Sequence, residues 1–299
     1  MSDVRKKIKA ANLEKLYPFR QNFLQLGNLN LNYVDEGSES AQPILMLHGN
    51  PTWSFYYRNL IQTFSTQFRT VVPDHMGCGL SDKPQDYPYT LETHIQNTHK
   101  LIKFLELKKI ILIVHDWGGA IGMGLATRYP ELFDKIIILN TAAFPSENIP
   151  KRIDILRSPS LGEFLTRKFN LFAWPATFMT TTKKLPKLIK EGYLLPYDSW
   201  ENRIAVARFV QDIPMNEKHQ TWHTLAEIES RLNTLKQPKL ILWGGKDFCF
   251  DQTFFERFVQ IFPEAEAHWY AKAGHYVLED ALTEVSAKIW EFIKPGPRA

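Results

Sequence analysis

The sequence predicts an α/β fold with a mostly parallel sheet, and two patterns carry that expectation. Short β-rich apolar runs at 44–47, 70–73, 110–114, 136–139 and 240–243 alternate with stretches of helical spacing. That order calls for right-handed crossovers, a parallel sheet and helices on both of its faces. Ahead of them, Gly27-Asn-Leu-Asn-Leu-Asn-Tyr33 lies between two apolar alternations and reads as a hairpin at an antiparallel edge of the sheet. A final strand is expected at 267–270.

Between residues 144 and 235 the pattern changes. No buried strand is evident there, and aromatic residues, prolines and helix-like spacing dominate. The sheet pattern resumes at Lys239-Leu-Ile-Leu-Trp-Gly244, so 144–235 is expected to be a helical cap inserted into a core formed by 1–143 and 236–299. Placed after a strand's carboxyl end, such a cap would cover the edge where α/β sheets bind ligands.

A chain of 299 residues with 44% hydrophobic residues can bury a sizeable core. Its net charge of +4 comes from 36 basic and 32 acidic residues that are scattered, without the basic stripe of a nucleic-acid binder. The densest basic run, Lys183-Lys-Leu-Pro-Lys-Leu-Ile-Lys190, reads first as a solvated helix face and second as a contact for a membrane or an acidic partner. Cys78 and Cys249 are too few for a disulfide framework and lack zinc-ligand spacing, which fits a reducing compartment and packing roles for both; no metal and no cofactor are expected. No apolar run follows Met1-Ser-Asp-Val-Arg-Lys-Lys7, and no stretch approaches the ~20 apolar residues of a membrane span. A cytoplasmic location is expected.

The chemistry centres on Ile110-Ile-Leu-Ile-Val-His-Asp-Trp-Gly-Gly119, a buried-strand pattern running into a glycine turn and helix with Asp116 at the turn. Serine at such a turn needs a base, whereas an aspartate with a reference pKa of about 3.9 is ionised at neutral pH and attacks saturated carbon unaided. Asp247 and His275 follow later strands on loops, giving the chain order nucleophile, acid, base. Each alone reads as an ordinary turn or cap residue; their concurrence at three strand ends is what points to catalysis. His48-Gly-Asn-Pro-Thr-Trp53 follows the strand at 44–47, where the backbone N–H of Asn50, with that of Trp117, would form an oxyanion hole. The Asn50 amide and Trp117 indole add two neutral N–H donors suited to a departing anion such as halide.

With these residues the chain resembles a haloalkane dehalogenase of the α/β-hydrolase superfamily. The hallmarks are His48-Gly-Asn-Pro-Thr-Trp-Ser-Phe-Tyr-Tyr-Arg58, Asp74-His-Met-Gly-Cys-Gly-Leu-Ser-Asp82 and His115-Asp-Trp-Gly-Gly119. The resemblance covers nearly the whole core and only loosely the cap. It implies an α/β-hydrolase fold with an eight-stranded, mostly parallel sheet and an inserted helical cap. It implies Asp116 as nucleophile, His275 as base, Asp247 as acid, and Asn50 with Trp117 as the halide pair. The partners implied are a small apolar halogenated substrate, halide and water, with a covalent alkyl-aspartate intermediate, and the resemblance also admits a homo-oligomer.

Two positions depart from the pattern. The elbow begins at Val114 rather than glycine, and Asn140 stands where one branch of the family places its glutamate acid, which leaves Asp247 as the acid. Another branch uses a cap tryptophan as second halide donor, making Trp174 a candidate, with Phe144 and Phe172 as further cap contacts. Phe164, Phe169, Phe178 and Met179 are additional candidates to line the pocket.

The nearest alternative is a β-lactone decarboxylase of bacterial long-chain olefin biosynthesis. Asn50-Pro-Thr-Trp-Ser-Phe-Tyr-Tyr57 looks like that group's version of the motif, and the same donors would hold the lactone's carboxylate. An epoxide hydrolase would need acid assistance from cap tyrosines such as Tyr193 and Tyr197, and its relatives commonly carry an aromatic residue where Asn50 stands. A fluoroacetate dehalogenase would want an arginine where Trp117-Gly-Gly follows the nucleophile. The non-enzymatic alternative is a ligand receptor that keeps the fold without the chemistry.

Overall fold

Each central strand is apolar on both sides because helices cover both faces of the sheet. The computed structural model describes residues 3–294. Its eight strands are β1 (Gln21–Leu26), β2 (Leu29–Glu36), β3 (Pro43–Leu47), β4 (Arg69–Pro73), β5 (Ile110–Asp116), β6 (Phe133–Thr141), β7 (Lys239–Gly244) and β8 (Glu266–Tyr270). They form one sheet in the order β1-β2-β4-β3-β5-β6-β7-β8, in which β2 runs antiparallel to β1 and β4 and all other neighbours are parallel. The hairpin turns at Gly27, whose φ of 63° suits glycine, and pairs Leu26 with Leu29.

The helices are α1 (Asp3–Ala10), α2 (Arg58–Phe64), α3 (Leu91–Phe104), α4 (Trp117–Arg128), α5 (Lys151–Leu156), α6 (Leu161–Phe169), α7 (Ala173–Met179), α8 (Lys187–Leu194), α9 (Ile204–Gln211), α10 (Gln220–Leu232), α11 (Gln252–Ile261), α12 (Val277–Asp280) and α13 (Leu282–Ile293). Along β5 the side chains alternate between the two cores. Leu112 and Val114 pack with α3, α4, α10 and α11, and Ile111 and Ile113 pack with α2 and α13. All seven residues of β5 are buried, as a strand covered on both faces requires.

The segment 144–235 is helical, and its last two helices reach the core, α9 through Ile204, Ala205 and Phe209 and α10 along its length. The α10 residues Leu225, Ile228 and Leu232 join the core cluster of α3 and α4, and Ile228 lies against Gly124 of α4. Thus α10 is the crossover helix that returns the chain from β6 to β7. The helices α5–α9 are an excursion ahead of it.

Candidate active site

The site begins with backbone strain at the end of β5. Asp116 has φ 51° and ψ −130°, a left-handed conformation that costs a non-glycine residue about 1–3 kcal/mol. Its surroundings hold it there. A Cβ on Gly118 would meet the Leu47 carbonyl, so only glycine lets α4 start this close to β3. From β6, the Thr141 hydroxyl donates to the Asp116 carbonyl oxygen. The strained turn lifts the Asp116 side chain off the sheet edge, where the chain around residue 50 meets it.

The Asn50 backbone N–H donates to Asp116 Oδ1 at 2.7 Å, and the Trp117 backbone N–H also hydrogen-bonds the carboxylate. His275 Nε2 lies 3.6 Å from Asp116 Oδ2. Gly49 is packed so closely that an added Cβ would overlap the Asp116 carboxylate. Burial raises the Asp116 pKa, while the His275 charge and the two backbone donors oppose that rise. The two N–H groups hold in the resting carboxylate the positions that an oxyanion hole requires.

On its other nitrogen, His275 Nδ1 pairs with Asp247 Oδ2 at 2.7 Å, and the Asp247 side chain is fully buried. Burial alone would lower the His275 pKa. The charge and hydrogen bond of Asp247, followed by the charge of Asp116, outweigh it and hold the pKa above its usual 6.5. The Cys249 backbone N–H donates to Asp247 Oδ1 at 2.7 Å, so both carboxylate oxygens are held.

Asn140 has a use that the sequence did not reveal. Its Nδ2 donates to Asp247 Oδ2 at 3.0 Å, and its Oδ1 accepts the Gly244 N–H at 2.8 Å, tying β6 to β7 beneath the triad. Asn140 does not stand in for Asp247; it holds the Asp247 carboxylate in place. His115, beside Asp116 in the sequence, pairs through Nε2 with the His275 carbonyl at 2.9 Å. Its position next to Asp116 was the available signal, and its partner 160 residues away was not.

Asn50, Asp116, Trp117 and His275 together line a cavity of about 480 Å³. Asn50 Nδ2 donates one proton to the Val206 carbonyl at 3.1 Å, leaving its second for a ligand, and Asn50 Oδ1 is buried without a partner. The walls are apolar, with Phe144, Phe172 and Met179 among the expected contributors. Val210 from α9, Leu225 from α10 and Phe248 complete them and were not anticipated.

Trp174 does not reach the site. It is 54% exposed on α7 and packs edge-on against Phe178 at 5.0 Å, on the helix face opposite the cavity-lining Pro175, Ala176 and Met179. Phe164, Phe169 and Phe178 are likewise exposed rather than lining. Neither candidate tyrosine faces the cavity: the Tyr193 hydroxyl donates to Glu279 and the Tyr197 hydroxyl to the Thr52 carbonyl. Among the described residues, no cluster of three or more His, Cys, Asp or Glu side chains is placed to hold a metal ion, and no helix is long and apolar enough to cross a membrane.

The alpha/beta hydrolase fold family matches residues 42–282. A cis-3-alkyl-4-alkyloxetan-2-one decarboxylase from Shewanella oneidensis is 43% identical over 94% of this chain and 90% of its own. A second decarboxylase of that name, from Xanthomonas campestris, is 38% identical over 89% and 93%. Haloalkane dehalogenase 2 of Mycobacterium tuberculosis is 29% identical over 93% and 96%. Among solved structures, a haloalkane dehalogenase from Bradyrhizobium elkani superposes with a TM-score of 0.85 at 22% identity, covering 92% of this chain and 97% of that one, which speaks for the fold. Strand order and relatives agree: the chain belongs to the α/β-hydrolase family, and within it is similar over nearly its whole length to cis-3-alkyl-4-alkyloxetan-2-one decarboxylases and, at lower identity, to haloalkane dehalogenases.

Proposed function

We propose that this protein decarboxylates cis-3,4-dialkyl β-lactones, releasing carbon dioxide and an alkene. The observation that carries this reading is the 43% identity, over nine-tenths of both chains, to a decarboxylase of cis-3-alkyl-4-alkyloxetan-2-ones, against 29% to the mycobacterial dehalogenase. The apolar cavity above Asp116 suits a ring that carries alkyl chains. The sequence alone favoured dehalogenation, which becomes the second reading.

In the proposed route the Asp116 carboxylate attacks ring carbon C4 from the side opposite the ring oxygen. A C4–aspartate bond forms as the C4–oxygen bond breaks, and the ring oxygen leaves within a carboxylate received by the neutral donors of Asn50 and Trp117. Loss of carbon dioxide then sends the electron pair of the C3–carboxyl bond into a C3=C4 double bond. The aspartate departs with its own pair. No water or proton is consumed, and inversion followed by anti departure delivers a cis-alkene from a cis-lactone. The proposed compartment is the cytoplasm, where the free thiols of Cys78 and Cys249 stay reduced.

Haloalkane hydrolysis is kept because His275 lies 3.6 Å from Asp116 and is braced by Asp247, an arrangement suited to activating a water that the lactone route does not use. There halide would leave between Asn50 and Trp117, and His275 would direct water at the alkyl-aspartate ester. The test is to incubate the purified protein with a long-chain cis-β-lactone and, in parallel, with a 1-bromoalkane. Catalysed cis-alkene release that Asp116→Asn lowers at least about a thousandfold is the expected result. Bromide release without alkene would move the assignment to dehalogenase, and binding of lactone with neither product would make the protein a receptor.

A further inference from the structure

Most of the exposed large hydrophobic side chains lie on the cap. Eleven large hydrophobic side chains are exposed among the described residues, and eight of them fall within 155–200. Phe164 packs on Phe169 at 5.7 Å and on Trp200 at 6.3 Å, and Trp174 packs on Phe178 at 5.0 Å, so they form aromatic clusters on α6 and α7 rather than isolated residues. Contiguous exposed apolar patches of this kind mark interaction sites.

The charge of the same region is equally uneven. Residues 151–194 hold nine basic and three acidic residues, a net of +6, which leaves −2 for the rest of the +4 chain. Lys151, Lys168 and Lys184 are exposed and have no carboxylate partner among the described residues. Lys187 is 92% exposed with only Glu191 nearby at 3.7 Å. The patch is continuous with the cavity: Ile155 and Leu171, 58% and 40% exposed, both line it. Ile155 and Leu171 therefore belong both to the cavity wall and to the exposed apolar residues of 155–200, the same stretch of chain that carries the excess of lysine and arginine.

We propose that this cap face docks on an anionic lipid surface, with Phe164, Phe169, Trp174 and Phe178 entering the headgroup boundary and the lysines around them meeting lipid phosphates. Exposed Trp and Phe flanked by Lys is the side-chain combination that seats a protein in a membrane interface. Docking in this orientation opens the cavity at Ile155 and Leu171 onto the acyl phase, so a water-insoluble substrate passes from lipid to Asp116 without crossing water. The placement holds for any apolar substrate and does not depend on which reaction Asp116 performs.

The full chain is tested by sedimentation with vesicles of phosphatidylcholine containing 30% phosphatidylglycerol, and with phosphatidylcholine alone. The expected result is binding to the anionic vesicles, weakened by salt, with a blue shift of tryptophan fluorescence. Lys184→Gln with Lys187→Gln is expected to lower partitioning about 25-fold, at roughly fivefold per lysine. Trp174→Ser with Phe178→Ser is expected to lower it at least about tenfold. Thermal melts of both double variants show whether they fold, and neither pair lines the cavity. Equal binding to neutral vesicles, or unchanged binding by folded variants, would overturn the proposal. So would no vesicle binding together with a self-associated state that the Trp174 and Phe178 substitutions dissolve, since the face would then belong to a second copy of the chain.

Discussion

Gly49 and Asn140 act on the proposed chemistry by placing others. A methyl group at residue 49 must displace the Asp116 carboxylate or the Asn50 N–H that holds it, and a misplacement near 1 Å costs about a hundredfold in rate. Gly49→Ala is therefore expected to lower turnover about that much with an unchanged far-UV spectrum; full activity would mean that the carboxylate has room the structure does not show. His275 carries the pH dependence. Only neutral imidazole removes a proton, so hydrolysis of an alkyl-Asp116 ester is expected to fall with decreasing pH through a midpoint at the His275 pKa, which Asp247 holds up against burial once Asp116 has lost its charge to the ester. Asp247→Asn removes the largest raising influence, and burial then prevails, moving that midpoint down. Single-turnover measurements across pH check both, and a midpoint that fails to move in Asp247→Asn would show that Asp247 does not set it. The lactone route transfers no proton, so His275→Gln is expected to slow alkene release only about 10- to 100-fold, far less than Asp116→Asn.

At the scale of elements, Asp212 joins the end of α9 to two core helices. Its carboxylate accepts the Leu91 N–H at the start of α3 at 2.8 Å and the Thr221 hydroxyl of α10 at 2.7 Å, and burial raises its pKa to about 7. A raised carboxyl pKa favours folding while the group is protonated. The contribution is complete below the unfolded value near 3.8 and is lost as pH rises through about 7. Melting temperature is expected to decline between pH 5 and pH 8, and Asp212→Asn is expected to flatten that decline; an equal slope in the variant would clear Asp212 of the effect.

The strands were legible because β5, β6 and β7 are unbroken apolar runs that only a doubly covered sheet can bury. Asp116, His275, Asp247 and Asn50 were legible because the residues at strand ends are few and chemically specific. The cap was less so. On α7, Pro175, Ala176 and Met179 line the cavity while Trp174 and Phe178 face outward, so both faces are apolar and helical periodicity gives no preference between them. The membership of α10 in the core was hidden for a related reason: Leu225, Ile228 and Leu232 supply the same stripe whether they meet a cap or a sheet.

For the whole molecule, the cap is fixed to the core along one side. Arg58 of α2 forms a buried ion pair with Glu279 of α12 at 2.6 Å, and the Tyr193 hydroxyl of α8 donates to the same carboxylate. The Trp53 indole donates to the Gly192 carbonyl at 3.0 Å, and Phe55 packs edge-on against Tyr193 at 5.2 Å. Glu279→Gln leaves the buried Arg58 without its counter-charge and is expected to cost about 3–5 kcal/mol, whereas Tyr193→Phe is expected to cost about 1 kcal/mol. Urea unfolding of the two variants checks the ranking, and equal losses would mean that the ion pair is not what fastens α8.

That fastening bears on turnover kinetics. With α8 held to the core, the exposed lining residues Ile155 and Leu171 mark the cavity rim past which a product of the proposed reaction leaves. A long hydrocarbon threading a fixed rim leaves slowly. The first turnover is then expected to appear as a burst in rapid mixing, followed by a steady rate that falls as the alkyl chain lengthens.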